Sequence, residues 1–410
     1  MEKTIGITAE YNPFHNGHLY HIQQIRRKYP DAGIIAALST SFLQRGVPAL
    51  MDKWERAKAA VACGVDLVIE LPIPFCCNNA GVFAAGAVAL LKSTGLVDTL
   101  SFGMEDTTEL LSTIADILVQ EPPPFKAYLQ NSLKLGFSYA ESRSQAADIL
   151  CPGAGELMRK PNNNLAFAYA EANARLNAGL ELLPVLRHGA DYHDLSAGQF
   201  MSAEGIREAL RNGNRELAWQ AMPAPSARIL RGAEERGRLC TGTDVLWQHL
   251  RLLLTRIEPE ELALSAGISE GVEHRLLGLF KKCDTFEQLA AAAATRRYPK
   301  SRIRRQLIGL LLHISQEQNA RFQHIGPAYI RPLAMNRRGR EMLRAMRGSS
   351  LLPVITKPAA LRWDYYAEDV LALEFRSAAI WESLVGKPDF FHENRAVPWI
   401  TEDQPLISSE

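Results

Sequence analysis

Cysteine is scarce in this 410-residue sequence, and none of the six (Cys63, Cys76, Cys77, Cys151, Cys240 and Cys283) has the paired CxxC spacing of a zinc site. Nothing in their spacing suggests a disulfide framework, so a reducing compartment is expected. Net charge is almost absent, with 46 Lys and Arg against 45 Asp and Glu. That balance excludes a uniformly basic coat for nucleic acid, although not a local patch. Long apolar runs are missing too, since the longest, 80–91, is too short to span a bilayer. The start, Met1-Glu2-Lys3-Thr4, runs into a strand-like segment with no signal-peptide block, so a soluble cytoplasmic protein without a membrane partner is expected. No GxGxxG follows the first apolar run and no GxxxxGK[ST] occurs, which removes the glycine scaffolds of dinucleotide and Walker-type sites. The remainder is ordinary: 47% apolar and 22% charged residues exclude wholesale disorder, and the length suits two or three domains.

The first half alternates two patterns. Short apolar runs with β-branched content at 3–9, 33–39 and 66–71 predict strands covered on both faces, and 99–103 and 182–187 read as further strands. Helical spacing occupies 18–28, 52–63, 80–93, 162–176 and 202–210. Asp52 with Glu55 three residues on forms an Asp version of the capping box, and Gly64 ends that helix. Such alternation dictates a parallel sheet with helices on both faces. Beyond about residue 215 the spacing turns helical, over 216–221, 227–238, 243–256, 271–282 and 286–295. The predicted fold is therefore α/β, a Rossmann-like parallel sheet in residues 1–215 followed by a mainly helical domain in residues 216–410.

The chemistry concentrates in Glu10-Tyr11-Asn12-Pro13-Phe14-His15-Asn16-Gly17-His18, between the first strand and the first helix. His15 falls in the loop and His18 in the first helical turn, so both imidazoles can face the helix N-terminus. Gly17 leaves backbone open to a ligand, and the amides there are unpaired donors. Two imidazoles at a helix N-terminus, at the carboxyl end of a parallel strand, suit a polyphosphate and the charge that develops as pyrophosphate leaves. The plainer reading is that the two histidines cap and pack.

His15-Asn16-Gly17-His18 resembles the HxGH element of the nucleotidyltransferase superfamily. With Ser39-Thr40-Ser41-Phe42-Leu43-Gln44-Arg45-Gly46, Asp66-Leu67-Val68-Ile69-Glu70-Leu71-Pro72, Ser101-Phe102-Gly103, Pro161-Asn162-Asn163 and Tyr192-His193-Asp194, the longer string resembles the bacterial tRNA(Met) cytidine acetate ligase family. The resemblance implies an HxGH-type catalytic domain in 1–215 and a tRNA-binding role for 216–410. It implies a ligase that joins acetate to ATP as acetyl-adenylate, then moves the acetyl group to the wobble cytidine of elongator tRNA(Met), giving 4-acetylcytidine. ATP would be bound by Ile7, Thr8, Ala9, Glu10, Tyr11, Asn12, Pro13, Phe14, His15, Asn16, Gly17, His18, Leu19, Tyr20, Gly103, Asn162 and Arg187, with magnesium accompanying the nucleotide and no metal held by the protein. His15, His18 and Arg45 are the expected catalytic residues.

Each of these has a plainer alternative. Gly103 ends a strand, where a missing side chain suits an adenine or ribose or simply a turn. Asn162 follows Pro161 and reads equally as an N-cap, with the register among Asn162, Asn163 and Asn164 open. Arg187 and Arg45, in loops after strands, could hold phosphate or acetate, or be ordinary surface arginines. Ser202-Ala203-Glu204-Gly205-Ile206-Arg207 resembles a nucleotidyltransferase phosphate element, except that the Glu204 charge would repel triphosphate. Asp191 and Asp194 beside His193 could ligate magnesium or cap a turn. Residues 296–305 hold six basic groups, Arg296, Arg297, Lys300, Arg302, Arg304 and Arg305, around Tyr298, and a second cluster comprises Arg331, Arg337, Arg338, Arg340, Arg344 and Arg347. The first is expected to bind tRNA, with Tyr298 stacking on a base. Alternatives of other classes are a nucleotidyltransferase that adenylylates a small phosphorylated metabolite, and a non-catalytic RNA-binding protein.

Overall fold

The computed structural model describes residues 3–106, 109–187, 200–358, 361 and 364–402. Its strands are β1 (Thr4–Ala9), β2 (Gly33–Ser39), β3 (Leu67–Leu71), β4 (Thr99–Met104), β5 (Glu181–Leu186), β6 (Pro332–Met335) and β7 (Trp399–Ile400). They form one sheet in the order β5-β4-β1-β2-β3-β6-β7. β1 to β5 pair in parallel, as the unbroken apolar runs required, and β2 is buried along its whole length. The connection from β1 goes to β2 on one side, while β4 lies on the other. The strand order therefore reverses at the β1–β4 boundary, where an open α/β sheet leaves a crevice at the carboxyl ends.

Two features come from the mainly helical second half. β6 joins β3 antiparallel, with a register shift at Val68/Ile69, and β7 pairs with β6. Four-residue and two-residue strands are too short to show a period of two, so the pattern there read as helical or irregular. Four helices, Leu111–Gln120, Pro123–Lys134, Tyr139–Leu150 and Ala154–Arg159, fill the connection between β4 and the helix Pro161–Arg175.

The second half is tied to the sheet by a buried ionic cluster. The Lys53 ammonium lies 2.5 Å from Glu70 and 2.8 Å from Glu393, while the Arg331 guanidinium lies 2.5 Å from Glu393. Tyr329 donates to Glu70 (2.8 Å) and Trp54 to Glu393 (3.0 Å). Arg331 thus leaves the surface cluster in which the sequence placed it, because the carboxylates that neutralise it come from far along the chain. Among the described residues no helix is long and apolar enough to cross a membrane.

Candidate active site

His15 is the N-cap of the helix Asn16–Lys28, and it reconciles the two readings of the histidine motif. Its Nδ1 accepts from the Gly17 amide (3.0 Å), and the Nδ1 of His18 accepts from the His15 amide (3.2 Å). The rings stack with centroids 3.7 Å apart. Capping and ligand binding do not compete. A nitrogen that accepts from a backbone N–H carries no proton, so each neutral ring must bear its hydrogen on Nε2. Capping fixes two Nε2–H donors, but the helix-start amides expected to be unpaired are taken up within the protein: Asn16 donates to the Ala221 carbonyl, Gly17 to His15 Nδ1 and His18 to the His15 carbonyl.

Burial, helped by Arg187 and Arg207, pushes the His15 imidazole down to about 3. His18 is likewise held well below the usual range by burial, with His15 and Arg187 adding to it. His21, one turn on, is lowered to about 4 by burial and then Arg187. All three stay neutral in the fold near pH 7, while their unfolded counterparts gain protons below about 6.5. Stability from these depressed groups is complete above about pH 6.5 and lost as the pH falls toward their folded values. Thermal unfolding scans should show Tm dropping between pH 6.5 and 4, less steeply once His21 is replaced by Asn.

Both histidines border a cavity of about 890 Å³ at the β1–β4 switch point, with Gly17, Tyr20, Arg45, Gly103, Asn162, Arg187, Ser202 and Arg207 among its lining residues. Of the residues predicted from sequence, Ile7, Thr8, Ala9, Glu10, Tyr11 and Asn12 also reach it. Pro13, Phe14, Asn16 and Leu19 do not line it. Phe14 is wholly buried against Tyr11 and His18, and Asn16 braces the loop by donating to the backbone of Gln220 and Ala221. Tyr11 takes a left-handed backbone conformation (φ 45°), which turns the chain out of β1 toward the helix.

Several supports were legible only in the fold. Arg56, fully buried, donates to the carbonyls of Glu10 (2.7 Å) and Met51 (3.0 Å), and burial lowers it to about 10. The Glu10 carboxylate accepts from the Gln44 amide (2.9 Å), joining β1 to the loop that carries Arg45. That loop turns back between Leu43 and Val47 (2.9 Å). Gly46 sits so close to the helix Lys300–Leu311 that a Cβ there would come within 2.5 Å of the Arg305 amide nitrogen. Arg305 donates to the Gln44 carbonyl (3.0 Å), so its guanidinium braces the Arg45 loop.

The register of the asparagine run also resolves. Asn162 is not an N-cap: Lys160 holds that position, and the Glu105 carboxylate accepts from the Asn162 (3.0 Å) and Asn163 (2.8 Å) amides. Asn162 and Asn164 border the cavity, and Arg187 donates to the Asn162 side chain (3.4 Å). Asn163 is buried and bonded to the Glu105 amide (2.9 Å). At Gly103 a Cβ would meet the Arg187 Cγ at 3.2 Å, so the bare strand end makes room for the arginine stem. Ser202 caps the helix Ala203–Arg211. Burial pushes the Glu204 carboxyl up, but Arg207 and Arg211 outweigh it and keep it below its usual value, offsetting the charge that would repel phosphate. Asp191, Tyr192, His193 and Asp194 lie outside the described residues.

The basic run changes most. The fold brings Glu270 to Arg297 (2.6 Å) and Glu287 to Lys300 (2.6 Å) and Arg304. Tyr298 is buried, donates to Glu270 (2.7 Å) and is covered by Arg302, so its ring is not presented to a base as expected. Arg296 lies over Phe137 of the segment between β4 and β5. Of the basic run Arg304 alone lines the cavity, beside Glu287. In the second cluster, Arg340 pairs with Glu402 (2.5 Å) and Arg338 donates to the Ala32 carbonyl (3.0 Å).

Residues 2–395 match the model of the HIGH Nucleotidyl Transferase family. The tRNA(Met) cytidine acetate ligase of Caldanaerobacter subterraneus subsp. tengcongensis is 33% identical over 404 residues, covering 95% of this chain and 98% of that protein. The protein of the same name from a Thermoanaerobacter species is 35% identical over 398 residues, with 95% and 98% covered. Among solved structures, apo Thermotoga maritima TmcAL superposes with a TM-score of 0.92 at 29% identity, covering 98% of this chain and 100% of that one. The same protein bound with alpha-thio ATP gives 0.88 at 29% identity, with 98% and 100% covered.

Proposed function

This chain belongs to the HIGH nucleotidyl transferase family and, within it, to the tRNA(Met) cytidine acetate ligases, and from that premise we propose how its cavity carries out the reaction. ATP lies along the switch-point crevice. The Nε2–H groups of His15 and His18, at the positive end of the helix, donate to its phosphates. Arg187, Ser202 and Arg207 surround the same charge. A carboxylate oxygen of acetate attacks the α-phosphorus, the bond to the β-phosphate oxygen breaks, and pyrophosphate leaves as acetyl-adenylate forms. The N4 amine of the wobble cytidine in elongator tRNA(Met) then attacks the acetyl carbonyl. The carbon–oxygen bond to phosphate breaks, AMP departs, and the amine gives a proton to solvent. Arg45, held at the cavity wall by its braced loop, neutralises acetate as it approaches. Magnesium travels with the nucleotide phosphates, whose charge it offsets.

The carrying observation is the pair of capped histidines with their Nε2–H donors fixed at the cavity. Incubation with ATP, labelled acetate and unmodified elongator tRNA(Met) should label the tRNA as 4-acetylcytidine with release of AMP and pyrophosphate. Labelling that demands acetyl-coenzyme A instead would overturn the assignment.

We assign residues 1–215 to ATP chemistry and 216–410 to tRNA binding, in the cytoplasm. The tRNA side rests on Arg296, Arg297, Lys300 and Arg302, neighbours in the chain of the cavity-lining Arg304. Replacing Arg296 and Arg297 together by Ala should lower tRNA affinity more than acetate-dependent exchange. It should also reduce the dependence of log affinity on log salt by about 1 for each phosphate that is no longer neutralised. Filter binding at several salt concentrations measures both quantities.

A further inference from the structure

His21 has no part in the capping of the first helix turn, yet its side chain borders the cavity. Its Nε2 lies 2.8 Å from the Ser101 Oγ, on β4. Ser101 is buried, and its hydroxyl hydrogen goes to the Leu183 carbonyl (3.0 Å), on β5. A hydroxyl has one hydrogen. Having donated it to a carbonyl, Ser101 can only accept from His21, so the proton of His21 must sit on Nε2. Burial keeps the ring neutral. The one other polar atom of the side chain, Nδ1, is therefore a bare acceptor.

His21 stands three residues beyond His18, about 4.5 Å further along the helix axis and away from the His15–His18 pair at the helix start. What lies beyond the phosphates and sugar of a nucleotide is its base. Two residues beyond the paired Ser101 and Leu183, the paired Gly103 and Val185 line the cavity, a strand-end wall that suits a flat ring. We propose that His21, oriented by Ser101, reads the base through its Nδ1 and selects an exocyclic amine over a carbonyl at that edge of the purine, so that the site takes ATP and rejects nucleotides with an oxygen there. Two facing lone pairs repel and leave both groups unsatisfied, whereas an amine donates directly. His21 is the specificity residue in this scheme and Ser101 the positioning residue. The inference rests on the cavity being the ATP site.

Calorimetry with ATP, inosine triphosphate and tripolyphosphate on the full chain tests it. The wild type should bind ATP about 10- to 100-fold more tightly than inosine triphosphate, the worth of one hydrogen bond made or left unmade. His21→Leu should bring that ratio close to one, with tripolyphosphate affinity within about twofold of wild type, which shows the phosphate end intact. Ser101→Ala keeps the imidazole but frees its tautomer, and should shrink the ratio to an intermediate value. An unchanged ratio in His21→Leu overturns the base-reading role alone. A wild type that binds neither nucleotide overturns the role and the proposed function together.

Discussion

His18→Ala should lower acetate-dependent ATP–pyrophosphate exchange by about 10²–10³-fold, the usual loss when one preorganised donor to developing charge is removed. The affinity for tRNA should change far less, because His18 lines the cavity whereas Arg296, Arg297, Lys300 and Arg302 do not. The imidazole takes two groups with it: the Nε2–H donor and the acceptor that holds the His15 amide at 3.2 Å. His15 also loses the ring stacked upon it. His18→Asn offers an amide oxygen for the cap and an N–H for phosphate, and should recover part of the rate. The same geometry constrains the pH profile. With His15 at about 3, and His18 also held well below its ordinary value, both rings stay neutral near pH 7 in the fold. An acidic limb near pH 6.5 that disappears in His18→Ala would mean that the ring works as a cation and that the neutral-donor account is wrong.

The second large effect concerns stability. Arg331→Met should destabilise the protein by about 3–5 kcal/mol, since it leaves buried carboxylate charge without its partner. Glu70, Glu393 and Glu374, which lies 3.4 Å from the same ammonium, would then share Lys53 alone, in an interior where the Arg331 side chain is only 2% exposed. Urea unfolding followed by circular dichroism measures the change, and a loss below 1 kcal/mol would show that the cluster does not join the second half to the sheet. Glu374 supplies a pH signature. Burial, then the Glu70 charge, pushes its carboxyl up to about 8. A raised acid keeps its proton in the fold, so its contribution is complete at about pH 4.5 and lost as the pH rises through about 8. Glu374→Gln should flatten that alkaline decline.

Strands β1 to β4 could be read from the sequence because they are buried almost throughout and so are mostly apolar, whereas β5, at the sheet edge and buried only at Leu183, showed itself by its short apolar run. The histidine motif was legible because cap residues and strand–loop–helix punctuation are local. What stayed hidden depends on distant partners. Arg331 and Arg305 look like surface cations until Glu393 and the Gln44 carbonyl are brought to them. Tyr298 looks available for stacking until Glu270 takes its hydroxyl. Asn162 resembles a cap because the carboxylate that takes the first amides of that helix, Glu105, lies 57 positions away. His21 could have been noticed three residues after His18 on one helix face, but only the Ser101 hydroxyl fixes its tautomer.

Exchange of labelled pyrophosphate into ATP, followed with and without acetate and with tRNA absent, probes the chemistry at its root. Exchange that requires acetate and collapses in His18→Ala is the predicted outcome. Exchange that ignores acetate, or that needs a phosphorylated metabolite in its place, would contradict the claim that these capped imidazoles grip the phosphates while a small carboxylate is activated.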